Sequence, residues 1–225
     1  MKIKSNLLLY SCLSVFFQLS LVAAKSQTPI LRWEKMANGV WKAKVGKPET
    51  ANLLSISESK PKTSAINEMT PVAFPLSSDE IKFEIFDGKT YLRFPLEKAE
   101  KIFGLGLNFK TVEQRGRILR LHEDHYDGVD NGRSHAPIPF YVSSKGYGVF
   151  INSARYIDIW VGTGVRVDSK NPPVVRDRNT DRKWSAAPYS DNVEVLIPAE
   201  GVELYVFGGP STLDAVSRFK LYQGG

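Results

Sequence analysis

The run His122-Glu123-Asp124-His125-Tyr126-Asp127-Gly128-Val129-Asp130-Asn131-Gly132 holds two of the chain's three histidines together with four carboxylic acids. Side chains of these types exchange protons near neutral pH or ligate cations, and their spacing decides between the two. Calcium loops of the EF-hand kind place oxygen ligands at alternate positions, whereas Asp124, Asp127 and Asp130 stand three apart. The run therefore does not read as a metal site. A histidine among His122, His125 and His135, with a nearby acid, could form a general acid–base pair. The plain structural reading is a turn-rich loop between strands, in which Asp and Asn side chains bond their own backbone.

Other chemistries are excluded more directly. Gly104-Leu105-Gly106 begins like a dinucleotide fingerprint, but no third glycine follows at the required place and no helical pattern opens there. These glycines are expected to bend a strand or admit another backbone at close range. The sole cysteine is Cys12, so beyond it the chain offers no disulfide, thiol nucleophile or Cys-based metal site. No cofactor is called for. No Lys and Arg run interleaved with aromatics marks a nucleic-acid surface.

Strands are the elements that must position these residues. Val40–Val45, Ile81–Phe86 and Thr90–Phe94 alternate apolar and polar residues with period two, the pattern of half-buried antiparallel strands. Asp87-Gly88-Lys89 supplies a glycine-bearing hairpin connection. Further strands are expected at Arg117–Leu121, Pro139–Ser143, Tyr147–Asn152, Ile157–Val161, Val193–Ile197 and Val202–Phe207. Many short strands separated by turn signals predict an all-β fold, an antiparallel β-sandwich. One short C-terminal helix follows, opened by Ser211-Thr212-Leu213-Asp214 as a capping box and carrying Ala215, Phe219 and Tyr222 on one face. Asn171–Asp191, rich in Pro, Asn and mixed charge, reads as an exposed loop.

The first 24 residues read as a secretory signal peptide. Lys2 and Lys4 form its positive start, Leu7–Leu21 its apolar stretch and Val22-Ala23-Ala24 its small-residue cleavage site. The apolar stretch is short for a membrane span, and no later stretch is apolar for long enough. Its removal takes away two lysines and no acid, which lowers the formal charge from +6 to +4. An exported chain without disulfides fits a bacterial periplasm or cell surface, the expected localisation. Leu9-Tyr10-Ser11-Cys12 faintly resembles a lipoprotein box, though few apolar residues precede it.

Ile102-Phe103-Gly104-Leu105-Gly106-Leu107-Asn108, Pro137-Ile138-Pro139-Phe140-Tyr141-Val142-Ser143 and Gly146-Tyr147-Gly148-Val149-Phe150-Ile151-Asn152 together resemble the N-terminal domain of glycoside hydrolase family 31, the α-glucosidase and α-xylosidase family. The resemblance covers Glu97–Gly225 well and Thr28–Phe94 in strand pattern only. It implies a galactose-mutarotase-like supersandwich over residues 25–225. Such a domain supports a catalytic barrel and contributes a loop to an α-glycoside site, so carbohydrate is the implied partner, reached through that barrel. By position after Arg117–Leu121, Asp124 matches an aspartate that hydrogen-bonds the sugar in some members. The family's Trp-Asn-x-Asp is replaced here by His122-Glu123-Asp124, and Ser134-His135-Ala136 stands where a tyrosine is usual. Leu204–Ser211, the helix and Gly224 resemble the exit toward the barrel, which implies that the helix face rests on it. No acid in this chain matches the family's catalytic motifs, so no catalytic residue is assigned.

Two other functions remain open from the residues. One is an aldose epimerase built on the histidines above. The other is a stand-alone carbohydrate-binding module with an aromatic platform drawn from Trp33, Trp41, Trp160 and Trp184, of which Trp41 and Trp160 lie in strand patterns that suit a core. A retaining glycosidase needs two carboxyl groups flanking the scissile bond, and in this family both belong to the barrel. Purified residues 25–225 are thus expected to turn over no aryl α-glucoside, α-xyloside or α-galactoside. Hydrolysis of any of the three above a control preparation would contradict this.

Overall fold

Alternation of apolar residues along several strands requires two sheets facing one another, because each strand has one side to bury. The computed structural model, which describes residues 30–107, 111–123, 134–163 and 189–225, shows this arrangement. In chain order it contains β1 (Glu34–Ala37), β2 (Val40–Gly46), the short helices α1 (Leu53–Ile56) and α2 (Thr63–Glu68), β3 (Lys82–Phe86), β4 (Lys89–Pro95) and β5 (Ile102–Gly104). There follow β6 (Arg117–Leu121), β7 (Phe140–Ser143), β8 (Tyr147–Asn152), β9 (Ile157–Thr163), β10 (Tyr189–Ile197), β11 (Gly201–Gly208) and α3 (Thr212–Tyr222). One sheet has the order β1-β2-β11-β8-β7-β5 and the other β3-β4-β10-β9-β6. Neighbouring strands are antiparallel throughout, so the protein is an antiparallel β-sandwich with a short C-terminal helix.

Val45, Val149, Ile151, Leu204 and Val206 of the six-stranded sheet meet Leu92, Phe94, Ile159, Val161, Val193 and Val195 of the five-stranded sheet in one core. The β3–β4 hairpin turns at Asp87 and Gly88, whose φ values of 48° and 70° are those of a tight turn matched to the twist of its strands. Gly104-Leu105-Gly106 has φ values of 96°, 64° and 94° in succession. This contorted stretch lets Leu105 enter the core while its N–H donates to Phe140 O at 2.9 Å. A Cβ at Gly106 would stand 2.3 Å from Ala136 O, so close backbone approach is what these glycines supply.

The outer face of the six-stranded sheet is also apolar. Phe140, Phe150, Tyr205 and Phe207 point away from the sandwich core and gather beneath Ala215, Phe219 and Tyr222 of α3. Phe219 stacks on Phe140 with centroids 3.8 Å apart and planes 10° from parallel. Gly148 makes room for this, since a Cβ there would come within 2.5 Å of the Phe140 ring. The helix face expected on a barrel is therefore covered by the chain's own sheet. Arg218, fully buried beside it, donates through Nε to Asn38 O at 3.0 Å and through Nη2 to Thr70 O at 2.6 Å. Burial lowers its pKa, opposed by the Asp214 carboxylate.

Several expectations shift in detail. Trp41 lies in the core, but Trp160 is half-buried on the outward side of β9, because Ile159 and Val161 take the inward positions. Trp33 packs on Phe74 at 5.0 Å, and Trp184 lies outside the described residues. β10 begins at Tyr189, so the end of the expected loop is strand. Ser211 caps α3 by accepting from Asp214 N at 3.3 Å, but the Asp214 carboxylate accepts from the Ser211 hydroxyl rather than from its backbone N–H. Because Phe219 fills the gap between helix and sheet, Phe219→Ala is expected to destabilise the chain by about 3–5 kcal/mol in denaturant unfolding. A loss well under 1 kcal/mol would place the helix elsewhere.

Candidate functional site

The end of the sandwich at which β6 stops carries the residues singled out for chemistry. After Leu121, His122 N donates to Arg120 O at 2.7 Å, and Glu123 forms a parallel bridge with Ser134 whose N–H donates to His122 O at 3.4 Å. Glu123 and Ser134, which flank residues 124–133 in sequence, are thus held side by side at the sandwich rim. Asp124 and His125 lie outside the described residues, as do Asp127 and Asp130. Among the described residues, no three His, Cys, Asp or Glu side chains are grouped to hold a metal ion. No helix among them is long and apolar enough to cross a membrane. Residues 1–29, with the expected signal and Cys12, are also outside them.

Two further segments complete the rim. Pro137-Ile138-Pro139 leads into β7, where Ile151 N donates to Pro139 O at 2.8 Å. Beyond β8, Ser153-Ala154-Arg155-Tyr156 turns the chain into β9, with Arg155 N donating to Ser153 Oγ at 3.2 Å. Between these segments lies a cleft of about 210 Å3 that Leu121, Glu123, Pro139 and Tyr156 help to line. The Tyr156 ring rests against the His122 imidazole with centroids 4.1 Å apart. Among the described residues, His122 thus has an aromatic neighbour.

Charge and hydrogen bonding fix this rim to the body. Arg155 Nε donates to the two Glu49 oxygens at 2.9 and 3.1 Å, and its Nη2 donates to Oε1 as well. That hydrogen bonding holds the Glu49 carboxyl below its ordinary pKa, against a small opposing effect of burial. Asn152 Oδ1 accepts from Leu54 N at 3.0 Å and so anchors α1, while its Nδ2 donates to Glu203 Oε2 at 3.2 Å. Glu203 in turn holds Lys42 Nζ at 2.5 Å. Burial works against the Glu203 charge, but Lys42, Asn152 and the Tyr205 hydroxyl outweigh it and lower the pKa.

The opposite end of the sandwich holds a buried carboxylate with a structural task. Glu100 accepts from the Ser143 hydroxyl, from Tyr147 OH at 2.5 Å and from Glu97 N at 2.8 Å, tying the β4–β5 connection to the β7–β8 hairpin. Burial first, and then the Glu100 charge, push the Tyr147 phenol well above its ordinary pKa. Nothing in the spacing of Glu100 announced this partnership, since Ser143 and Tyr147 stand 43 and 47 residues away. The sequence pattern likewise missed Tyr156, Arg155 and Glu49 at the rim.

Two antiparallel sheets enclosing one core, with a helix closing the outer side and a polar rim at one end, define a sandwich domain of the galactose-mutarotase type. Residues 37–159 match the family described as the Glycosyl hydrolase 31 N-terminal galactose mutarotase-like domain, more than half of the chain, and the chain belongs to that family. The match reaches back through β2, β3 and β4, where the sequence resembled the family in strand pattern alone. Alpha-xylosidase XylQ of Lactiplantibacillus pentosus is 25% identical over 179 residues, covering 78% of this chain and 18% of that protein. An alpha-xylosidase of Emericella nidulans is 36% identical over 75 residues, 33% of this chain and 9% of that protein. The chain thus spans less than a fifth of the length of these curated relatives. The GH31 dextranase FjDex31A of Flavobacterium johnsoniae, solved with isomaltotriose, superposes with a TM-score of 0.55 at 14% identity over 86% of this chain and 25% of that one. At that identity the superposition establishes the fold.

Glu203 carries a pH consequence. A carboxyl whose folded pKa lies below its unfolded value contributes stability above the unfolded value, and loses it as pH falls through the folded one. Glu203→Gln is therefore expected to lower the Tm at neutral pH and to flatten its fall below about pH 4. Parallel melting curves of both proteins across that range would contradict the assignment.

Proposed function

We propose that this chain is the non-catalytic N-terminal domain of a secreted α-glycoside hydrolase, bracing a catalytic barrel and lending the segment 124–133 to one edge of the sugar site. The observation that carries the reading is the pairing of Glu123 with Ser134 at the sandwich rim, in a chain belonging to the glycoside hydrolase 31 N-terminal family. That pairing brings together the two residues that flank the segment, which supports reading it as a loop presented to a neighbouring domain. Ile138 is exposed at the same rim, where a partner surface would cover it. Asp124 follows Glu123 directly and is the residue proposed to hydrogen-bond the sugar. Secretion rests on the leader-like pattern of residues 1–24.

The alpha-xylosidases among the relatives support α-linked sugars as the substrate class, with xylosides foremost. In this reading the paired carboxylates belong to the barrel and perform the glycosyl transfer to water. The sandwich contributes positioning, which is worth as much as a well-placed hydrogen bond to the substrate. The DNA following the Gly225 codon tests the reading, together with co-expression of whatever it encodes. The expected result is a barrel whose α-glycosidase activity requires the sandwich and whose KM rises about tenfold with Asp124→Ala, a loss typical of one substrate hydrogen bond. Absence of any barrel, or activity indifferent to the sandwich, would overturn it.

A further inference from the structure

Tyr156 is 66% exposed, a large aromatic ring left in water at the rim of the cleft described above. It is nevertheless held in place. One face lies against His122 at a centroid distance of 4.1 Å and an interplanar angle of 34°, while the residue as a whole stays largely exposed. The backbone on either side is fixed by Arg155 N bonding to Ser153 Oγ and by entry into β9 at Ile157. An aromatic side chain fixed in this way has little conformational entropy left to lose on binding.

We propose that Tyr156, braced by His122, is a stacking platform for a single pyranose ring, a contact distinct from Asp124 that rests on the proposed function for its choice of sugar. A pyranose presents a patch of C–H groups on each face and hydroxyls around its edge. The site offers the complement of both. The phenol ring and the partly exposed Leu53 and Pro137 suit the C–H face, while Glu123 and Arg155 stand at the edge with groups that accept from or donate to hydroxyls. Arg155 keeps its position through Glu49, so its guanidinium is oriented before any ligand arrives. The cleft, at about 210 Å3, is smaller than the ~300–1,000 Å3 of sites for drug-sized ligands, which limits the occupant to one ring.

The chain is titrated with methyl α-D-xylopyranoside and methyl α-D-glucopyranoside and followed by heteronuclear NMR, with sorbitol as a polyol lacking a ring. Saturable shifts centred on Tyr156 and His122 are expected with at least one glycoside and not with sorbitol. Tyr156→Ala should weaken binding about tenfold, equivalent to ~1.4 kcal/mol, and Tyr156→Phe should leave it nearly unchanged. If Tyr156→Ala does not fold, His122→Ala decides, with weakened binding supporting the platform and unchanged binding overturning it. The inference is also overturned if neither glycoside gives a saturable shift, if sorbitol shifts the same residues, or if Tyr156→Ala binds like the parent. Asp124→Ala, run in parallel, separates the two readings. Binding lost only in that variant overturns the platform and leaves the proposed function standing, whereas binding lost only in Tyr156→Ala supports the platform and leaves the role of Asp124 to the test with the barrel.

Discussion

The six-stranded sheet has to be covered on both faces, and much of the molecule follows from that constraint. Along β11, Val202, Leu204 and Val206 enter the core between the sheets, while Tyr205 and Phe207 turn outward. β8 divides in the same way, with Val149 and Ile151 inward and Phe150 outward. An outward aromatic layer of this kind left in water would be a site of association. α3 removes it by laying Phe219 between Phe140, Phe150 and Phe207. Arg218 then draws the β1–β2 turn and the strand-like stretch near Thr70 onto the same helix through their carbonyls. Its charge is buried with hydrogen bonds to neutral oxygens, an arrangement that costs desolvation and fixes geometry in return.

With the inner face of α3 packed on its own sheet, that face is not left for a neighbouring domain. The two ends of the sandwich differ in character. At one, Glu100 is enclosed by Ser143, Tyr147 and Glu97 and serves as an internal tie. At the other, the ion pair of Arg155 with Glu49 and the bridge of Glu123 with Ser134 hold a partly open cleft and the base of an acid-rich segment. Buried and saturated polar groups build structure, whereas exposed and pre-positioned ones are available to a ligand. That contrast supports the proposal that the β6 end faces the ligand.

Strands whose residues alternate over five or more positions were legible in the sequence, because period two survives wherever one face is buried and the other is wet. β1 and β5 were not, being four and three residues long and taking their pairing from β2 and β7. α1 and α2 escaped for a related reason. Helices this short do not hold together by propensity, and α1 depends on its Asn52 cap and on Asn152 from β8. The face of α3 was readable from Ala215, Phe219 and Tyr222, but what it covers was not, since spacing does not tell an intramolecular sheet from a docked domain. The same limit applied at the rim. His122 and Glu123 stood out by residue type, while Tyr156 acquires meaning from its contact with His122, and Arg155 from Glu49, which lies 106 residues earlier.

The central claim is that the β6 end of the sandwich is the end turned toward the sugar. A crystal structure of the chain joined to its catalytic barrel, with an α-glycoside inhibitor bound, measures this directly. The account predicts that Leu121–Glu123, Ser134–Pro139 and Ser153–Ile157 face the mouth of the barrel, with the rim within contact distance of the inhibitor. A complex in which the Glu100 end or the outer side of α3 faces the barrel mouth, with the β6 rim left in solvent, would contradict it.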